Sequence, residues 1–473
     1  MKLTALGLAK VGYDLAAPFV VDVRLDPVQK DSPTTDPSAL LIGQTVTEVT
    51  FKSVARILPK KRVSGLAEYQ DSLVFVKLFY GTNARRYWQR ELVGAHLLQA
   101  AGVPCAPVLY KGATADGDAF VIFFEALLEP HNLRADDQED MLAAVGILAQ
   151  LHNANLVQTD SHVFNFLRSH GQYFAIDADG IRRAHLLRQH FANLAMLLAQ
   201  RPPTADTDIE DIWASYSTAR GAYVNKMGSA TLLRKLTTQQ RRRRVRRYLK
   251  KTQRSCTEFV QQKSFTHHFL CDREYWQQLQ RFMLYPEATV GEGTPLKLGN
   301  SSTVVRVQIE DQHFIVKRYN VKSLSHRVRR WFKKRARIAW RNGHHLAFLD
   351  IHTARPLALL ETKWGWFNSV CYLVMPDVGT HNLGQVLSTD DANFAQVSTP
   401  TIARLQGLQA AGLAHGDLKA TNFVVAGDDV LLIDYDAVRK GANGADIERF
   451  KANWQNQPDL LEKWVAALKQ AGL

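Results

Sequence analysis

Two sets of polar residues in this sequence share one spacing, and that spacing suits phosphoryl transfer. Asp160 is followed by Asn165 five positions on and by Asp177 after 17, and Asp417 is followed by Asn422 and Asp434 at the same intervals. In such an arrangement the first aspartate orients an acceptor hydroxyl or takes its proton. The asparagine and the later aspartate offer hard oxygen atoms to magnesium, which bridges nucleotide phosphates. The chemistry also calls for a lysine on the phosphates, held in place by a helix glutamate. Lys77 and Glu91, fourteen residues apart, fit that pair in the first half, and Lys317 fits the lysine in the second. No glutamate stands where the second half would need one; Ala339, Trp340 or Arg341 occupies the place.

The elements that must position these residues recur in the same order in both halves. The first reads VFVKLF, FFEALLEPHNL, LVQTDSHVFNFL and YFAIDADGIR; the second reads HFIVKRY, LVMPDVGTHNL, LAHGDLKATNFVV and VLLIDYDAVR. Self-similarity of this kind predicts two copies of one domain. The runs at 74–79 and 313–319, rich in Val, Ile and Phe, predict strands carrying Lys77 and Lys317. Residues 84–101 predict a helix closed by Gly102 and Pro104, and 139–151 and 401–411 predict apolar helices leading into the Asp160 and Asp417 segments. YFAID and VLLID predict short buried strands ending on the aspartate. The HNL repeats at 131–133 and 381–383 are expected to cap helices. The expected organisation is α+β: a first domain over 1–235, a basic helical linker over 236–285 with little core of its own, and a second domain over 286–473.

HGDLKATN resembles the catalytic loop HRDLKxxN of protein kinases, and IDYD resembles their metal-binding DFG segment. The pairings HGDLKATNF with LIDYDAVR, and QTDSHVFNF with AIDADGIR, more closely resemble the bacterial lipopolysaccharide core kinases, the heptose and Kdo kinases. The resemblance covers two blocks of about 150–200 residues and implies two bilobal domains of protein-kinase-like fold. It implies ATP and magnesium as cofactors and an inner-core lipopolysaccharide sugar as acceptor. Position by position, it implies Asp160 and Asp417 as catalytic bases, with Lys419 steadying the transferred phosphate where the first half has His162. Asn165, Asp177, Asn422 and Asp434 become magnesium ligands, and Lys77, Lys317 and Glu91 serve ATP. Neither half has the glycine-rich GxGxxG loop: the first offers only Gly65, the second Gly299 with Asn300 and Ser301 as a phosphate-covering turn. The HxD histidine is Gln158 in the first half and His415 in the second. Counted by polar residues the first set is the more complete, and the balance leans slightly toward it; judged by catalytic loop, the second is. No APE motif follows either aspartate and 39 residues remain after Asp434, too few for the activation segment and full C-lobe of a serine/threonine protein kinase.

Charge points to the partner. The 473 residues carry 59 Lys and Arg against 45 Asp and Glu, a net charge of +14. Nine basic residues lie in 241–254 and nine in 322–341; without those 18, 41 basic residues face 45 acidic ones. A near-neutral globule with two cationic windows is expected to meet a localised anion. Val328, Trp331, Phe332, Ile338 and Trp340, interleaved with the second window's cations, favour an amphipathic helix on the anionic inner-membrane surface. Nucleic acid is disfavoured, for lack of an aromatic stacking platform. Four scattered cysteines suggest reduced thiols in the cytoplasm, and the broken apolar run at the start is not read as a signal peptide. A cytoplasmic protein, peripheral at the inner membrane, is the expectation. The competing readings are a tandem pseudokinase scaffold on anionic lipid, an antibiotic phosphotransferase, which would want an acidic pocket, and a protein kinase.

Overall fold

The computed structural model describes residues 2–4, 15–27, 45–299, 301–320, 335–364, 367–389 and 393–473. The protein is mixed α+β with several sheets. Its chain divides into two compact units, residues 1–201 with 207–241 and residues 202–206 with 242–473.

The first unit is built on an antiparallel sheet of seven strands: β1 (Phe19–Pro27), β2 (Thr47–Phe51), β3 (Arg56–Leu58), β4 (Arg62–Tyr69), β5 (Ser72–Phe79), β6 (Val108–Thr114) and β7 (Phe120–Glu125), in the order β2-β1-β6-β7-β5-β4-β3. Alternation sets one face of β5, with Val74, Val76 and Leu78, into a core shared with Phe19, Phe51 and Phe123. On β5, Lys77 lies opposite Ser64 of β4 and Ile122 of β7. Helix α1 (Ala84–Ala100) follows the strand, buries Trp88 and Glu91, and ends before Gly102 at φ +63°. Helix α2 (Gln138–Asn153) starts where the Asp137 side chain accepts a hydrogen bond from the Asp140 amide, 3.0 Å. It packs Met141, Val145 and Leu148 into a second core with Phe166 and α3 (Leu187–Leu198).

The second unit also has a seven-stranded antiparallel sheet, of β8 (Phe259–Lys263), β9 (His267–Asp272), β10 (Thr294–Leu298), β11 (Ser302–Ile309), β12 (Gln312–Tyr319), β13 (Ala358–Trp364) and β14 (Phe367–Pro376), ordered β8-β9-β13-β14-β12-β11-β10. Here Lys317 on β12 lies opposite Val304 and Leu373. The next helix, α5 (Arg335–Phe348), is buried through Ala339, Trp340 and Leu346, and α6 (Phe394–Ala411) fills the core through Leu405 and Leu408.

Three expectations change. The segment 236–285 is not a linker of low core value: it begins inside helix α4 (Ala230–Lys251) and continues as the β8–β9 hairpin, whose Phe269, Leu270 and Cys271 are buried in the second unit's cores. The strands expected to end on the aspartates stop at Ala175 and Leu432, two residues earlier. Of the cationic window 322–341, residues 322–334, with Val328, Trp331 and Phe332, lie outside the described residues. Trp340 is not offered to a bilayer: it is 1% exposed, with its indole N–H on the Thr252 hydroxyl at 3.2 Å. No helix among the described residues is long and apolar enough to cross a membrane.

Candidate active site

Each unit brings its own Asp, Asn and Asp together through the backbone. In the first, the Asn165 side chain donates to the Asp160 carbonyl at 2.7 Å, and the Ile176 amide donates to the Asn165 carbonyl at 2.8 Å. In the second, Asn422 donates to the Asp417 carbonyl at 2.7 Å, and the Ile433 amide to the Asn422 carbonyl at 2.9 Å. Asp177 and Asp434 then take left-handed backbone conformations, φ 61° and 58°, which a short polar side chain tolerates better than a branched one. The turn aims each aspartate back at its lysine.

The two halves hold those lysines differently. In the first unit Lys77 meets Glu91 at 2.5 Å and Asp177 at 3.3 Å. Glu91, fully buried, also accepts from the Ala178 amide at 3.1 Å, so one carboxylate ties α1, β5 and the aspartate turn together. Sequence reasoning missed Arg62, whose guanidinium bonds Asp177 at 2.9 Å and lies 3.7 Å from Glu91. Burial alone would raise the Asp177 pKa; Lys77 and Arg62 outweigh it and hold this carboxyl well below the usual range.

In the second unit Lys317 meets Asp434 at 2.5 Å, and its second carboxylate is Asp436 at 3.2 Å. Asp436 also accepts from the Tyr319 hydroxyl and from Arg335, at 3.0 and 3.1 Å. Burial opposes ionisation of Asp434, and Lys317 more than offsets it, leaving the pKa lowered. Two glycines show which residue replaces the helix glutamate. A Cβ on Gly94 of α1 would run into the Ala178 carbonyl, and one on Gly343 of α5 would meet Pro356 and Tyr435. Ala178 and Tyr435 each follow the turn aspartate, so the glycines correspond; three residues before them stand Glu91 and Trp340.

Gln158 and His415 make equivalent bonds in the two units. His415 of the second donates from Nε2 to the Ile433 carbonyl at 3.1 Å, and burial lowers its pKa, keeping the ring neutral. Gln158 donates from Nε2 to the Ile176 carbonyl at 3.2 Å, the same bond from an amide. Each loop hangs on a buried side chain of a later helix. Asp446, in α7 (Gly444–Ala452), accepts from the His415 and Gly416 amides at 2.5 and 3.0 Å. Asn193 of α3 donates to the Gln158 carbonyl at 2.6 Å and accepts from its amide at 3.3 Å.

Around the first aspartates the units diverge. Lys419 reaches Asp417 at 2.9 Å, with Arg449 4.0 Å away. In the first unit the corresponding His162 turns to its own backbone, its Nδ1 accepting from the Phe164 amide at 3.3 Å. Gly299 sits in the turn between β10 and β11, its amide on the Ser302 carbonyl and its own carbonyl taking the Asn320 side chain, both 3.1 Å. Asn300 lies outside the described residues. Gly65 is no phosphate turn: it lies inside β4, where any side chain would strike the Ser53 carbonyl.

The donor sets fit magnesium unequally. Asp434 is 37% exposed, and Lys317 is its one ion-pair partner among the described residues, with Lys297 acting from farther off. With Asn422, whose amide nitrogen is committed and whose Oδ1 is kept as acceptor, it gives the one-or-two-carboxylate oxygen set that a water-rich magnesium takes. In the first unit the set does not fit. Asp177 already carries two cations, one of them an arginine that cannot lose its proton. Among the described residues no group of three or more His, Cys, Asp or Glu is placed to hold a metal.

No family model matches this chain, and no curated protein matches it. Among solved structures it is similar to one described as WaaP in complex with acyl carrier protein, at a TM-score of 0.29 and 16% identity, over 40% of this chain and 87% of that one.

Proposed function

We propose that the chain is an ATP- and magnesium-dependent phosphotransferase of two kinase-like bilobal domains, acting on a sugar hydroxyl of the lipopolysaccharide inner core at the cytoplasmic face of the inner membrane. The observation that carries the reading is that Lys317, from a strand 117 residues away, meets Asp434 on the turn that follows the Asp417, Lys419 and Asn422 loop. The acceptor class rests on the resemblance of HGDLKATNF and LIDYDAVR to the core kinases.

In this reading the second unit transfers phosphate. Asp417 orients the acceptor hydroxyl and takes its proton. Lys419, 2.9 Å from it, meets the phosphoryl group as it passes to the acceptor. Lys317 presents its charge to the nucleotide from a central strand, held by Asp434 and Asp436. Magnesium on Asp434 and Asn422 would supply the remaining charge neutralisation. His415 and Asp446 hold the loop in place, so the chemistry draws on positioning and fixed charges. The weight moves from the first set to the second because Arg62 is absent from any count of matching residues.

The exposed cations of α4 support a membrane-surface partner. Arg242, Arg243, Arg246, Arg247, Lys250 and Lys251 recur at helical spacing and are exposed, and a stripe of this kind suits anionic headgroups. It equally favours the second reading, a pseudokinase scaffold on anionic lipid, which Trp340 in the place of a glutamate also feeds.

The test is transfer of labelled phosphate from ATP to purified core lipopolysaccharide. Asp417→Asn is expected to lower the rate by about 10²–10⁴-fold, with Asp160→Asn close to wild type. Loss in Asp160→Asn alone would reassign the working unit. Undiminished transfer in the double variant would overturn the assignment of Asp417 and Asp160 as bases, and no transfer by wild type hands the protein to the scaffold reading.

A further inference from the structure

The first unit differs from the second at one cross-strand position. Arg62 lies opposite Phe79, two residues beyond Lys77 on β5; Ser302 lies opposite Tyr319, two residues beyond Lys317 on β12. The same place in the sheet therefore holds a guanidinium in one unit and a hydroxymethyl in the other. Arg62 is 4% exposed, and it reaches Asp177 with one nitrogen while its Nε has no hydrogen-bond partner. A permanently charged group with a buried spare donor, fixed beside Lys77, repels a divalent cation and attracts an anionic oxygen. Lys61, 3.7 Å from Asp179, adds a third cation on the turn leading into β4.

We propose that the first unit binds the polyphosphate of a nucleotide without a divalent cation, Arg62 and Lys77 together taking the role that magnesium and Lys317 share in the second, and that it transfers no phosphate. The inference rests on the kinase-like reading above and extends it to the unit where the metal does not fit. Asp177 then serves to hold the two cations apart and aligned. His162, bonded to its own backbone, leaves this unit without the lysine that steadies a transferred group, in keeping with binding alone.

The experiment is calorimetric titration of the full chain with ATP, in EDTA and in magnesium. Lys317→Ala leaves the first unit's site to be read; it is expected to bind one ATP in EDTA, with magnesium shifting the affinity less than about threefold. Adding Arg62→Ser, which copies the second unit's residue, is expected to weaken binding in EDTA by about tenfold or more, the scale of a lost charge-assisted bond. Arg62→Lys keeps a cation in place and is expected to recover part of it. Thermal melting of each variant separates a lost site from a lost fold. Binding by Lys317→Ala that requires magnesium, or no binding in either buffer by a protein that melts as wild type does, would overturn the inference. Titration reads binding without turnover, so failure of the second unit to transfer phosphate, which would sink the reading underneath, registers only in the transfer assay.

Discussion

His152 carries no charge in the folded first unit. Burial, helped by the neighbouring His190, pushes its ring down to about 3. The ring stacks on His190 at 4.6 Å and bonds the Tyr216 hydroxyl and Asn193 Oδ1 at 2.7 and 3.2 Å. Since Asn193 also grips the backbone of Gln158, an acid-induced charge here would reach the Asp160 loop. The sign follows from a folded pKa below the unfolded one. Above about pH 6.5 the ring is neutral in both states, and as pH falls toward 3 only the unfolded chain takes the proton, so stability is lost at about 1.4 kcal/mol per pH unit. His152→Gln, which keeps both hydrogen bonds within reach, removes that term. The stability advantage of wild type over this variant is expected to shrink by about 2 kcal/mol between pH 7 and pH 5, read by urea denaturation at each pH. An unchanged difference would mean the ring is already protonated or solvated in the native state.

At the scale of elements, the critical contact is the one between α1 and the aspartate turn, where Gly94 allows backbone to meet backbone. Because Glu91 lies one turn earlier on the same helix, a wedge at Gly94 separates Glu91 from Lys77 and from the Ala178 amide. Gly94→Ala is expected to destabilise the first unit by about 1–3 kcal/mol, as overpacking does, and to weaken its ATP binding in EDTA. A variant that melts and binds like wild type would show that the helix has slack. The same pair of elements explains what could be read in advance. The Asp-to-Asn and Asp-to-Asp intervals were legible because one loop and one short hairpin fix them locally. Lys77 with Glu91 was legible because strand then helix sets their separation. Arg62 was not, since its place beside Lys77 depends on the β4–β5 register, which no local pattern states. Asp436, two residues after Asp434, is not legible as a partner of Lys317, because the family resemblance places that partner on a helix. The β8–β9 hairpin is not legible as strands because FVQQK is a half-polar edge strand and HHFLCD begins with two histidines, His268 being buried against Glu361 and Arg337. Such strands lack the alternation that marks one.

The whole molecule presents its charge unevenly. Helix α4 contributes Leu233 to the first unit's core and Val245 and Leu249 to the second's, while Arg242, Arg243, Arg246 and Arg247 stand outward. Partition onto phosphatidylglycerol vesicles is expected to fall on the order of a thousandfold when Arg242, Arg243, Arg246 and Arg247 are all changed to Gln, at about 1 kcal/mol each. Co-sedimentation at low salt measures it, and binding that survives the four changes would move the contact elsewhere. Those arginines have another consequence. They are the residues after which trypsin cuts, so this helix holds a dense run of cleavage sites. A helix is cut only when it opens locally, and a headgroup resting on the stripe would hold it shut. The speed of nicking near residue 245, with and without anionic lipid, would then report from the chain itself whether the surface is occupied.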